Sequence, residues 1–151
     1  MRKVALYGTI AIVLATVANV LHTVSHAGQH LIYLPMWQLA YVTAVIYFAP
    51  VVTVILLWSR FRQAEARLLL ASMAGSFVFS LAYHFVVAGP DNVFALHPGE
   101  WRIPFQVSVA LLLLVDGIGC LVGIWALNTL SRSPAAVAVP GLRRRPKVES
   151  R

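Results

Sequence analysis

The chain has 151 residues, 60% of them hydrophobic and only 11% charged, far from the roughly 25% charged content of an average soluble domain. A net charge of +7 would point to nucleic acid in a soluble protein, but here the basic residues flank long apolar runs and no nucleic-acid module or phosphate-binding loop is present, so nucleic acid is excluded as a partner. The single cysteine, Cys120, excludes an intramolecular disulfide and any cysteine-rich metal site.

From Val4 to Ser59 there is no Asp, Glu, Lys or Arg, a stretch long enough for two spans of about 20 residues each and a turn. Arg2 and Lys3 precede it and Ser25-His26-Ala27 loosely fits a cleavage site. The apolar run to Leu21 nevertheless exceeds the roughly 7–15 residues of a signal-peptide core, so a retained first span over about 4–26 is expected. Pro35, with Met36 and Trp37 beside it at interface depth, separates this span from a second over about 38–59. Pro50 inside the second span predicts a kink that neighbouring helices tolerate, and Trp58 and Arg60 anchor its end.

A short link to Arg67 leads into a third span, about 68–89, and Ile103 to Ser131 holds a fourth, about 104–130, whose only charge is Asp116. Between these spans, Gly89-Pro90-Asp91-Asn92 and His97-Pro98-Gly99-Glu100-Trp101 read as turns that bound a loop of roughly 14 residues, too small to be a domain and therefore resting on the bundle end. The segment 132–151, with Arg143-Arg144-Arg145 and Lys147, has no apolar periodicity and is expected to be disordered, either lying against anionic lipid headgroups or serving only as a topology signal. The expected fold is thus an all-α, four-span transmembrane bundle over 1–131. Eleven of the twelve basic residues, all but Arg102, share one side of it, which places both termini in the cytoplasm of a bacterial or archaeal plasma membrane.

Helical periodicity assigns faces. On the first helix Gly8, Ala11, Ala15, Asn19, His22 and His26 fall within an arc of roughly 80°, opposite Leu6, Ile10, Val13, Val17, Leu21 and Val24. Because lipid is as apolar as leucine, the small and polar face is the one expected to turn inward. Asp116, Gly119, Cys120 and Gly123 share a face of the fourth helix, and Met73, Phe77, Ser80 and His84 a stripe of the third. Counting about 1.5 Å per residue from the cytoplasmic ends puts His22, His84, Asn19 and Asp116 at similar depth, with His26 one turn above and His30, His97, Asp91 and Glu100 available from the loops.

His22 and His26 at i and i+4 have the spacing with which one helix gives two ligands to one ion, and His84 or Asp116 completes a set suited to zinc or copper. Alternatively, His22 or His26 with His84 forms the axial pair of a b-type haem. Three readings therefore follow: a metal- or haem-binding bundle, an accessory subunit of a larger membrane complex or homo-oligomer whose histidines are structural, and a proton or quinol relay. No recognisable nucleophile motif surrounds Ser25, Ser76 or Ser80, so binding rather than turnover is expected.

Overall fold

In a computed structural model that describes residues 2–31, 34–59 and 62–132, the four apolar runs fold as four helices, α1 (Arg2–Gly28), α2 (Met36–Leu57), α3 (Gln63–Val86) and α4 (Arg102–Ser131), each long and apolar enough to cross a membrane. No strand occurs among the described residues. The expected boundaries differ from the observed ones by a few residues, because hydropathy locates the apolar centre of a helix and not the points where its hydrogen bonding begins and ends. The basic tail beyond Arg132, and Arg60 in the α2–α3 link, lie outside the described residues.

Helix α4 is the hub: it packs along α1 on one side and α3 on the other, and α2 leans on α3 and, through its Ala49–Leu57 half, on α1. The face assignments hold. Ala11, Ala15 and Ala18 of α1 are buried while Leu6, Val13 and Val17 are about half exposed, as expected when small residues mediate helix contact and large aliphatic ones face lipid. On α4, Asp116, Gly119 and Gly123 are buried. A Cβ on Gly123 would lie 3.0–3.2 Å from the Cβ, Cα and backbone nitrogen of Leu70, whereas one on Gly119 would meet the Met73 side chain. Gly123 therefore marks a close approach of α4 to the α3 backbone, which cannot move aside as a side chain can.

Two helices depart from α-geometry. Val42–Phe48 of α2 and Ala82–Val86 of α3 are π-helical. Pro50 follows the first of these at the start of Ala49–Leu57. Proline lacks an N–H and its ring crowds the carbonyl four residues back, so the wider turn ahead of it absorbs the conflict within a continuous helix. The α3–α4 loop rests on the bundle end as expected: Val93 donates its N–H to the His84 carbonyl at 3.0 Å, and Val93 and Leu96 are buried against Phe105 and Val109.

Substituting Gly123→Ala is expected to destabilise the bundle by about 1–3 kcal/mol through overpacking against backbone, and Gly119→Ala by less, because the Met73 thioether chain is able to move aside. Thermal unfolding of the two variants in detergent checks the order.

Candidate metal centre

Near the end of α1 remote from the N-terminus, the bundle gathers three histidines. His22 and His26 come from successive turns of α1 and His84 from the π-helical end of α3. Their ring centroids lie 4.5 Å (His22–His26), 4.7 Å (His22–His84) and 5.8 Å (His26–His84) apart. Phe105, fully buried at the start of α4, packs against all three rings at 5.1, 4.9 and 5.6 Å, an apolar wall that fixes their outer side.

Each Nδ1 has a partner that determines the tautomer. His84 Nδ1 is 2.9 Å from the Asp91 carbonyl and His26 Nδ1 is 3.1 Å from the Leu31 carbonyl. A carbonyl only accepts, so both nitrogens carry the proton. His22 Nδ1 is 3.0 Å from Ser108 Oγ, whose own proton goes to the Phe105 carbonyl at 2.7 Å, so the serine oxygen must accept and His22 too is protonated on Nδ1. In all three rings the Nε2 lone pair is left free, and none of these nitrogens has a hydrogen bond among the described residues. One ligand atom from each histidine lies within 4.8 Å of the others, so the trio is able to hold a metal ion.

The backbone that carries His26 is itself locked. His30 has φ 59°, Leu31 donates its N–H to the His26 carbonyl at 2.9 Å and His30 donates to Ala27 at 3.0 Å. This is the paired hydrogen-bond pattern that closes a helix through a left-handed residue. Leu31 thus holds His26 twice, once through its backbone carbonyl and once through its imidazole.

Asp116, expected in the same layer, is elsewhere. It is fully buried, accepts a hydrogen bond from Ser76 Oγ at 2.6 Å, and is not among the ligand atoms that converge. Ser76 is eight residues before His84 and Asp116 eight beyond Ser108, about two turns or 12 Å along each helix. Heights counted from helix ends missed this because they treat α1, α3 and α4 as parallel rods that start at one level. Its other oxygen, Oδ1, has no partner among the described residues. His30, His97 and Glu100 border a separate hollow at the bundle end, apart from the trio.

Beside the trio lies a cavity of about 300 Å³, lined by His22, His26 and His84 and continuing between aliphatic and aromatic side chains of α2 and α3 such as Leu39, Val42, Ile46 and Phe79. Asp91 and Ser80 also border it. Sequence reading missed Ser108, whose signal is that it is the only hydroxyl residue of α4 before Thr129, and it left Asp91 among loop residues. Compared with family models, curated proteins and solved structures, the chain matches none, so the site is interpreted from its own chemistry.

A non-glycine residue at left-handed φ costs roughly 1–2 kcal/mol. His30→Gly is therefore expected to raise stability by about 1 kcal/mol, seen as a higher unfolding midpoint, with metal binding unchanged because His30 lies outside the trio.

Proposed function

We propose that this chain is a multi-pass membrane protein that binds one transition-metal ion, zinc foremost, through the Nε2 atoms of His22, His26 and His84. The observation that carries the reading is the common tautomer: three Nδ1–H groups donate to Ser108, Leu31 and Asp91, which leaves each Nε2 lone pair available, in a trio whose ligand atoms lie within 4.8 Å of one another. Metal-bound histidines characteristically donate their other N–H to a carbonyl, carboxylate or water, which orients the ring and raises its basicity. Tetrahedral zinc with Zn–N bonds of about 2.0–2.1 Å sets its nitrogens about 3.3 Å apart, so ligand atoms within 4.8 Å reach that geometry by side-chain shifts on the order of 1 Å. Imidazole also suits copper, nickel and iron.

A single ion fits this packing better than haem. An axial pair must face each other across a flat macrocycle, whereas the His22 ring contacts both other imidazoles edge to face and Phe105 closes one side. Asp116 is not included in the ligand set, since Ser76 holds it about two turns away. For the membrane orientation we adopt both termini on the cytoplasmic side, supported by the gathering of basic residues at Arg2, Lys3, Arg67, Arg132 and the tail. The trio then lies near the opposite surface, where an ion reaches it from the outside.

The test is elemental analysis and zinc titration of detergent-purified, chelator-stripped protein. One zinc per chain is expected, with binding abolished in His22→Ala, His26→Ala and His84→Ala, weakened about 10–100-fold in Ser108→Ala, and retained in Asp116→Asn. A wild type that takes up no metal, or a Soret band that vanishes in His84→Ala, overturns the reading.

A further inference from the structure

Three protein ligands are one fewer than a closed structural zinc site uses, and sites with three ligands and an open fourth position are characteristically catalytic. No fourth His, Cys, Asp or Glu joins the trio among the described residues. The open side faces the cavity of about 300 Å³, a volume at the lower end of the roughly 300–1,000 Å³ of small-molecule sites. Apart from its histidine end the cavity is walled mainly by apolar side chains, so its preferred occupant has a long apolar part and a polar group that reaches the trio.

The route in is lateral. Helix α1 packs against the Ala49–Leu57 half of α2 but makes no extensive contact with the Met36–Phe48 half, so the two helices splay apart at the level of the cavity. One polar strap crosses the gap. Thr23 gives its proton to the Asn19 carbonyl, and the Tyr47 hydroxyl therefore donates to Thr23 Oγ1 at 2.8 Å, at an exposed position. In a bilayer this gap opens towards acyl chains. The π-helical turns Val42–Phe48 and Ala82–Val86 supply Val42, Ile46, Tyr47, Tyr83 and His84 to the lining, in keeping with the recurrence of π-bulges at functional sites.

Two further polar groups border the same space. Asp91 is the only carboxylate in the lining; it is partly exposed, and its Oδ1 is 3.9 Å from His26 Nδ1. Ser80 lies one turn before His84 and is 1% exposed, and its hydroxyl makes no hydrogen bond among the described residues. A site with an open metal position, a carboxylate, a spare hydroxyl and an acyl-sized apolar arm has the parts of a hydrolase.

We propose that the trio is the metal half of a hydrolytic centre that cleaves the carboxylic ester or amide of a single long acyl chain entering from the membrane; this rests on the metal-binding reading above. The bound ion supplies Lewis acidity, polarising the acyl carbonyl and making a water molecule acidic near neutral pH. That water gives one proton to the Asp91 carboxylate and its oxygen adds to the acyl carbon. Ser80 donates a hydrogen bond to the carbonyl oxygen as negative charge develops there. The bond from the acyl carbon to the headgroup oxygen or nitrogen then breaks, and the Asp91 proton passes to the departing atom. The products are a fatty acid and an alcohol or amine, with nothing oxidised or reduced.

The experiment uses full-length, zinc-loaded protein in nanodiscs with p-nitrophenyl myristate, p-nitrophenyl acetate and myristoyl p-nitroanilide, with zinc content measured on every sample. Expected are zinc-dependent release from at least one myristoyl probe and a kcat/KM at least tenfold above that for the acetate. Asp91→Asn is expected to keep one zinc per chain and lose kcat at least 100-fold. Val42→Trp, which fills the apolar arm, is expected to keep zinc and lose the preference for the long chain. Stoichiometric zinc without turnover of any probe overturns the hydrolytic proposal and leaves metal binding standing, as does turnover undiminished in Asp91→Asn for the proposal as stated. Absence of zinc overturns both.

Discussion

The hydrogen bonds from Nδ1 of His22, His26 and His84 are the constraint on which the site depends. A neutral imidazole has one donor and one acceptor, and whichever nitrogen is fixed by the surroundings decides what the other offers. Here the surroundings are a serine committed to a backbone carbonyl and two carbonyls that only accept. The partners come from α4, from Leu31 in the turn that closes α1 and from the loop after α3, so the donor set is complete only when all three of these segments are docked. The chemistry of the trio is thus a consequence of tertiary packing, not of the His22/His26 spacing alone.

That packing is possible because α4 brings α1 and α3 together. Small residues allow it: Gly123 admits the Leu70 backbone, and the alanine face of α1 admits α4. The four helices are long and apolar enough to cross a membrane, and in a bilayer, which offers no hydrophobic drive between helices, close backbone contact and internal hydrogen bonds would hold such a bundle. Helix α2 contributes least, being the least buried of the four, and its π-helical half stands away from α1. Tight packing at α1–α4–α3 and loose packing at α1–α2 are complementary: the first fixes the ligands and the second leaves the space in front of them.

Much of this was legible in the sequence because helices apolar enough to cross a membrane follow a simple code. Charge-free runs locate the helices, and small or polar residues at helical spacing mark the inward faces of α1, α3 and α4, with His22, His26 and His84 on them. The trio followed from face and approximate depth together. Asp116 did not, since two turns of axial offset depend on how helices cross, and crossing depends on contacts such as Gly123 against Leu70 that no single helix reveals. The cavity was equally hidden. It arises from a splay between α1 and α2 and from π-helical turns whose only sequence sign, Pro50, reads as a kink. Ser108 and Asp91 take their importance from the imidazoles they meet: His22, 86 residues before Ser108, and His84, seven before Asp91.

The free Nε2 lone pairs bear on why the trio is there at all. The three histidines border the cavity, and none of their Nε2 atoms is among the fully buried atoms that lack a partner, so these acceptors remain open to water or to a cation. Several other polar residues of the bundle are satisfied locally: Thr16, Asn19, Ser25 and Thr53 each return a hydrogen bond to the carbonyl four residues back in their own helix. His22 instead spends its donor on Ser108 of another helix, and His26 and His84 spend theirs on carbonyls of the segments that follow their helices. With one ligand atom from each imidazole within 4.8 Å of the others, the trio is able to hold a cation, and a single ion would satisfy all three rings at once. The same reasoning separates the trio from Asp116, where a single carboxylate oxygen lacks a partner and no second ligand converges on it.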